Sequence, residues 1–347
     1  LAAADVSWAG RRVTNPVRRL GDGWVLTGGQ SAEHAQTGAR LEVVGTHEVE
    51  LTVPLSSGRE LSLQIDVPSG TALGNAPVVS ADSAVASMAQ LVGQAVPGEL
   101  PEVVENVAAS TVEFSPDLVA DHGAVSGAAL VSNQHGVPDV LVGLAWPAVF
   151  AVRGAGTIDS GERIVAGMLD LVHLDHQITT EPLPASPVDL KIEATLASIE
   201  QTQYGRVVTV EVRIGDLATM TERFAIRGRT GTETLADPAT AGGALGDLQI
   251  HDTPRRERAR VTVTAPSDMS AFASRTTDLN PLHTSAAAAR LAGLGEPIVH
   301  GMWTSAAAQQ AVAAETGRRI VGWTTRFMAP VALGAAIEIR ADRVGLT

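Results

Sequence analysis

The stretch Thr276 to Trp303, TTDLNPLHTSAAAARLAGLGEPIVHGMW, sets a carboxylate and an imidazole, Asp278 and His283, five residues apart with Asn280 and Pro281 between them. Pro281 fixes its own φ and pushes Asn280 toward an extended conformation, so D-x-N-P-L-H reads as a rigid loop and not a helix interior. Thr284 or Ser285 can cap the helix AAAARLAG, and Gly293 can end it. An acid and an imidazole held on such a loop suit general acid–base chemistry near neutral pH, where each proton transfer contributes roughly 10²–10⁴-fold. Further along, His300 precedes Gly301, which opens an apolar helix expected over MWTSAAAQQAVAAETG. A glycine at a helix N-terminus offers an unpaired N–H at the positive end of the dipole, with no side chain in the way. Such a donor stabilises a carbonyl oxygen on which negative charge develops. His300 has two readings, a second acid–base group or a structural histidine bonded to the loop.

The elements that must position these groups show themselves as a repeat. VEFSPDLVADHGAVSG (112–127) resembles VTVTAPSDMSAFASRTTD (261–278) with Asp117 against Asp268. PDVLVGLAWPAVFAV (138–152) resembles PIVHGMWTSAAAQQAV (297–312) with Gly143 against Gly301, and GERIVAGMLDLVHL (161–174) resembles GRRIVGWTTRFMAP (317–330). Matched blocks in one order imply two diverged copies, each with a leading strand, a loop, a long apolar helix and then strands. In this alignment Gly127 faces Asp278, Ser132 faces His283 and Val142 faces His300, so the first copy is expected to keep the scaffold and to have lost the ionisable groups. The first copy continues through strand-like segments to about Arg229, whereas the second stops at AAIEIRADRVGLT. With no initiator Met, the chain is expected to be a piece of a longer polypeptide that continues past Thr347.

Four segments are expected: an N-terminal module with strands and helix (1–105), the degenerate copy (106–230), a Gly-, Ala- and Thr-rich linker (231–255) and the copy carrying Asp278 (256–347). In the first, 40–67 alternates as a β-meander, and 80–108 reads as mainly helical, through SAVASMAQLVGQAV and on into PGELPEVVENV. EPLPASPVD (181–189) is a Pro-rich loop, followed by two strands that turn near Tyr204. Trp146 and Trp303, near equivalent helix starts, are core candidates.

Composition narrows the classes. Hydrophobic residues at 45% and charged residues at 18% describe a globular chain. A net charge of −13 without any long Lys/Arg-rich run gives no face for nucleic acid. The run RRER (255–258) reads as a solvated loop, with contact to an acidic protein carrier as its second reading. Cysteine is absent, which excludes disulfides, thiol nucleophiles and thiolate metal sites and agrees with a cytoplasmic location. The longest apolar run, Val140–Val152, is too short to span a bilayer, so no membrane association is expected. DLVHLDHQ contains metal-ligand types in Asp170, His173, Asp175 and His176. Period-2 alternation, however, places His173 and Asp175 on one strand face and His176 on the other, so no metal is expected there. Without G-x-S-x-G, G-x-G-x-x-G or P-loop patterns, serine acyl transfer, nucleotide binding and phosphoryl transfer lack support, and no cofactor is expected.

D-x-N-P-[LI]-H, then A-G-[LF], then P-I-[VA]-H-G-M, spanning Asp278 through Met302, resembles the hydratase-2 motif of MaoC-like hot-dog proteins, which act on (3R)-hydroxyacyl thioesters. The degenerate copy resembles the inactive half of the double hot dogs in that group. With its N-terminal module, the chain is similar to the dehydratase region of the bacterial type I fatty acid synthase, the single-chain multienzyme of mycobacteria and their relatives. The resemblance implies an α+β double hot dog, with each long helix wrapped by antiparallel sheet. For the N-terminal module, a third, degenerate hot dog is one reading. It also implies Asp278 and His283 as the catalytic pair, Asn280 orienting water or hydroxyl, and the Gly301 N–H binding the thioester carbonyl. The implied activity is dehydration of a (3R)-hydroxyacyl thioester on acyl carrier protein, within a homo-oligomeric synthase with further domains. Two alternatives stand beside it: a stand-alone (R)-specific enoyl-CoA hydratase, and a non-catalytic thioester-binding or scaffolding segment. One departure is Thr277, where the family often has glycine; little consequence is expected from it.

Overall fold

Period-2 alternation near the N-terminus produces a sheet of eight strands. The computed structural model describes residues 6–8, 11–13, 15–55, 58–67, 77–127, 136–157, 161, 164, 171–202, 205–227 and 255–344. The strands are β1 (Val6–Trp8), β2 (Arg11–Val13), β3 (Trp24–Gly28), β4 (Ser31–His34), β5 (Arg40–Gly45), β6 (Glu48–Pro54), β7 (Glu60–Asp66) and β8 (Val78–Val79). Helix α1 (Pro16–Leu20) lies between β2 and β3, and α2 (Ala81–Ala95) follows the last strand. The sheet order is β2-β1-β8-β7-β6-β5-β4-β3, antiparallel from β3 to β8 and parallel at β1–β8. The expected meander is β5 to β7, in which Val49, Leu51, Val53, Leu61, Leu63 and Ile65 point inward and are buried. Helix α2 packs on β7.

The helix expected to continue through PGELPEVVENV ends at Ala95 instead. Pro97 and Pro101 cannot donate to a helical ladder and Gly98 takes φ +80°, so the chain straightens into β9 (Val103–Val104) and β10 (Val107–Phe114). Then come α3 (Asp117–Val125), α4 (Val142–Ala155), β11 (Leu171–Thr180), β12 (Val188–Thr202), β13 (Gly205–Ile214) and β14 (Ala218–Arg227). The second copy supplies β15 (Arg255–Thr264), α5 (Ser270–Thr276), the short α6 (Ala286–Leu291), α7 (Gly301–Thr316), β16 (Gly322–Arg326) and β17 (Ala336–Val344). Arg255–Arg258, expected as a solvated loop, opens β15, because β17 offers it a partner from Arg255↔Val344 onward. The expected linker lies outside the described residues except for Arg255, as does Ser132. No helix among the described residues is long and apolar enough to cross a membrane.

The chain packs as two compact units. The first contains the described residues up to Ala95, Ile164 and Leu279–Ile298, so a stretch that is internal to the second copy in sequence, including α6, folds with the N-terminal sheet. The second unit contains the two copies apart from Leu279–Ile298, and five elements of each correspond in order: β10, α3, α4, β11 and β12 against β15, α5, α7, β16 and β17. The β10–β12 and β15–β17 pairs are both antiparallel, and β11–β16 pairing joins the copies through one sheet ordered β16-β11-β14-β13-β12-β10-β9. This is a double hot dog. In each copy the long helix comes after the first long strand, whereas α2 follows all eight strands of the N-terminal sheet.

Helix α4, whose one charged residue is Arg153, is wrapped by β10, β12 and β13, which bury Ala145, Trp146, Val149, Phe150 and Val152. Each large apolar side chain buried this way contributes about 1.5–3 kcal/mol. Helix α7 has a smaller and more polar buried surface, with Ala306, Ala307, Ala313, Gln309 and Gln310, and Trp303 is buried at its start.

Candidate active site

Within the second unit, the backbone turns sharply before the acid. Thr277 caps the C-terminus of α5 in the left-handed region (φ 55°), and Asp278 follows, only 9% exposed. The Asp278 carbonyl accepts a hydrogen bond from His300 Nε2 at 3.1 Å, and the Asp278 carboxylate Oδ2 lies 3.8 Å from the same nitrogen. His300 is the N-cap residue of α7, with its ring buried. One imidazole thus ties the backbone of the acid to the head of a sixteen-residue helix. Gly301 is the first residue of that helix, where the amide has no intrahelical acceptor. A Cβ at Gly301 would lie 2.9 Å from the Phe327 ring, so a glycine is required for the close approach of that ring.

Asn280 and His283 belong to the first unit, reached across the Asp278–Leu279 peptide bond. Pro281–His283 forms a 3₁₀ turn, and Asn280 Oδ1 accepts from the Leu282 N–H at 3.2 Å. His283 Nδ1 lies 2.9 Å from the Ile298 carbonyl. A carbonyl only accepts, so Nδ1 carries a proton and Nε2 is the nitrogen turned away from that bond. The segment is pinned within this unit. Leu279 N donates to Ala95 O at 2.6 Å, Arg19 Nη1 donates to Leu291 O at 2.6 Å, and Ser285 Oγ donates to Pro54 O at 3.0 Å. Ser285 is also the N-cap of α6, accepting from Ala288 N, and Gly293 follows the helix at φ +82°.

His173, Asp175 and His176, which strict alternation divides between two strand faces, form with Glu222 and Asp139 a second group of ionisable residues, in the copy expected to have lost such groups. A β-bulge between His173 and Asp175 shifts the register of β11 against β14. Strict alternation fails there, and both histidines reach one carboxylate: His173 Nε2 to Glu222 Oε2 at 2.7 Å and His176 Nδ1 to Glu222 Oε1 at 2.7 Å. His176 Nε2 also meets Asp139 Oδ1 at 3.1 Å, while Asp175 pairs with Arg223 and Arg326, each at 3.0 Å. Burial alone would lower the His176 pKa, but Glu222 and Asp139 overcome this and raise it to about 10, so its ring is charged. Burial raises the Glu222 pKa, but His176 and His173 bring it down to about 2. Arg153 of α4 completes the cluster, its guanidinium 4.3 Å from the rings of both Phe150 and Phe224. Burial pulls its pKa to about 10 against the opposing pull of Asp278 and Glu222. The sequence signal was Glu222 and Asp139 standing among apolar core residues, a placement that requires partners.

Residues 247–347 match the family described as MaoC like domain, and residues 1–112 match the fatty acid synthase SBS domain. The chain is similar to fatty acid synthase beta subunit stcK of Emericella nidulans, at 29% identity over 154 residues, which is 43% of this chain and 7% of that protein. It is also similar to fatty acid synthase beta subunit TOXC of Cochliobolus carbonum, at 34% over 90 residues, 25% of this chain and 4% of that one. It therefore spans under a tenth of the length of these relatives, which are fungal where the sequence features resembled a bacterial synthase. Among solved structures, a MaoC-like dehydratase from Phytophthora capsici shares the fold, with a TM-score of 0.54 at 17% identity over 71% of this chain and 86% of that one.

Proposed function

We propose that this chain is the dehydratase segment of a fatty acid synthase, because residues 247–347 match the MaoC like domain and residues 1–112 the fatty acid synthase SBS domain. In this reading it removes water from (3R)-hydroxyacyl thioesters on acyl carrier protein and releases trans-2-enoyl thioesters. The observation that carries the reading is the 3.1 Å bond from His300 to the Asp278 carbonyl, one residue before the bare amide of Gly301. It supports an acid held beside a helix N-terminus, where a thioester oxygen gains a donor and the favourable end of the dipole.

His283 Nε2 takes the Cα proton, and the electron pair enters the thioester as an enolate whose oxygen the Gly301 N–H stabilises. Collapse of the enolate forms the Cα–Cβ double bond and breaks the Cβ–O bond. Asp278, protonated for this step, gives its proton to the departing hydroxyl, which leaves as water. Asn280 orients the hydroxyl through its amide. The reverse sequence hydrates an enoyl thioester. Partners in this reading are the acyl carrier protein and the other domains of a homo-oligomeric, cytoplasmic synthase. The test is hydration of crotonyl-CoA and of crotonyl-acyl carrier protein by the full chain, wild type against Asp278→Asn. A fall of roughly 10²–10⁴-fold is expected. An undiminished rate removes the reading and leaves a scaffolding segment, and a preference for the CoA ester points to a hydratase instead.

A further inference from the structure

The degenerate copy retains one glycine aligned with Gly301, namely Gly143, although it has no acid–base residues at the aligned positions to serve. The structure gives Gly143 a different use. A Cβ on it would lie 2.8 Å from the Thr276 carbonyl oxygen and 3.1 Å from the Thr276 carbonyl carbon and Cα, all backbone atoms that cannot swing aside. The carbonyl of Gly143 accepts the Thr277 hydroxyl at 2.6 Å. That carbonyl is available because Pro147, inside α4, has no N–H to return the helical bond four residues back. Ser305 stands at the matching place in α7, so this opening is specific to the degenerate copy.

Thr277 itself holds φ 55°, a region that a β-branched residue enters only when its surroundings impose it. It is the residue immediately before Asp278. We propose that Gly143 and Pro147 of the degenerate copy form a socket for the Thr276–Thr277 backbone, and that Thr277 is the positioning residue that aims the Asp278 carboxylate. The degenerate copy therefore contributes to catalysis by orientation, without touching substrate. Glycine at this position would reach the same φ at no cost but could not make the bond. Threonine accepts the strained φ and makes the bond, so the departure from the family pattern has a consequence after all.

This inference rests on the catalytic reading of Asp278, and the experiment separates the two. Crotonyl-CoA hydration by the full chain is followed for Thr277→Val, Thr277→Gly, Thr277→Ser, Gly143→Ala and Asp278→Asn, alongside each variant's thermal midpoint. Thr277→Val and Thr277→Gly are expected to lower kcat about 10–100-fold with little change in KM, the size of effect that a misplacement near 1 Å produces. Thr277→Ser, which keeps the hydroxyl, restores kcat. Thr277→Gly relieves backbone strain, so its midpoint stays at or near the wild-type value while its kcat falls, a split that a purely structural role would not give. Should Gly143→Ala fail to fold, the Thr277 series still decides. If Asp278→Asn is inactive while Thr277→Val and Thr277→Gly turn over at the wild-type kcat, the socket is overturned and the function stands. If Asp278→Asn is fully active, both fall.

Discussion

Replacing Glu222 by glutamine tests whether the degenerate copy is held together by buried charge. The carboxylate is 0% exposed and takes both histidines at 2.7 Å, so the substitution keeps its volume while it removes the charge and turns one of the two acceptors into a donor. Two unit charges about 4 Å apart at an effective dielectric of 20 attract by about 4 kcal/mol. Part of this is returned because a neutral amide costs less to bury. The charged His176 ring, however, is left with Asp139 alone, and breaking a buried pair from one side costs about 3–5 kcal/mol. A loss near 3 kcal/mol is expected, which at a urea m-value of about 3 kcal/mol/M moves the unfolding midpoint by roughly 1 M. Trp146, whose ring centroid lies 6.0 Å from that of His173, reports the transition by fluorescence.

The pH dependence gives the sharper check. Glu222 has a folded pKa of about 2 against 4.5, so its stabilisation is present above 4.5 and disappears as pH falls toward 2. His176 has a folded pKa of about 10 against 6.5, so its contribution is complete below 6.5 and is lost as pH rises toward 10. The gap between wild type and Glu222→Gln should therefore be widest between pH 4.5 and 6.5 and narrow on both sides. A gap under about 1 kcal/mol, the worth of an ordinary neutral hydrogen bond, would refute the argument. So would two stability curves that run parallel from acid to alkaline pH.

Other expectations concern single contacts. His176→Gln should cost about 3 kcal/mol in urea unfolding, because it strands two buried carboxylates, whereas His173→Gln, at a partly exposed ring, should cost clearly less. Gly301→Ala should slow crotonyl-CoA hydration by pressing on the Phe327 ring, and the double variant with Phe327→Ala should recover much of the rate, because alanine still presents the amide. No recovery would mean that the fault lies elsewhere than in that clash. Ser285→Ala removes the N-cap of α6 and the bond to Pro54, and should destabilise the first unit by about 1–2 kcal/mol in thermal unfolding; an unchanged midpoint would contradict the anchoring described for Leu279–Ile298.

Much of this protein is legible in the local chemistry of its residues. Asparagine and proline at 280 and 281, serine at 285 and glycine at 293 and 301 act through their own backbone preferences and their nearest neighbours, so the loop, the cap and the helix start follow from types and spacing. The two copies are visible because one chain solves the same packing problem twice. What depends on neighbours far away in sequence is not legible there. The bulge after His173 reverses which residues share a face, and alternation presumes an unbroken ladder. That Leu279–Ile298 folds with the N-terminal sheet follows from bonds to Ala95, Arg19 and Pro54, partners that no local pattern announces. The left-handed turn at Thr277 runs against the residue's own preference, and it exists because Gly143, more than a hundred positions earlier, leaves room for one carbonyl and offers another. Propensities are summed along the chain, but close approaches are set by the fold, and at Thr277 the fold wins.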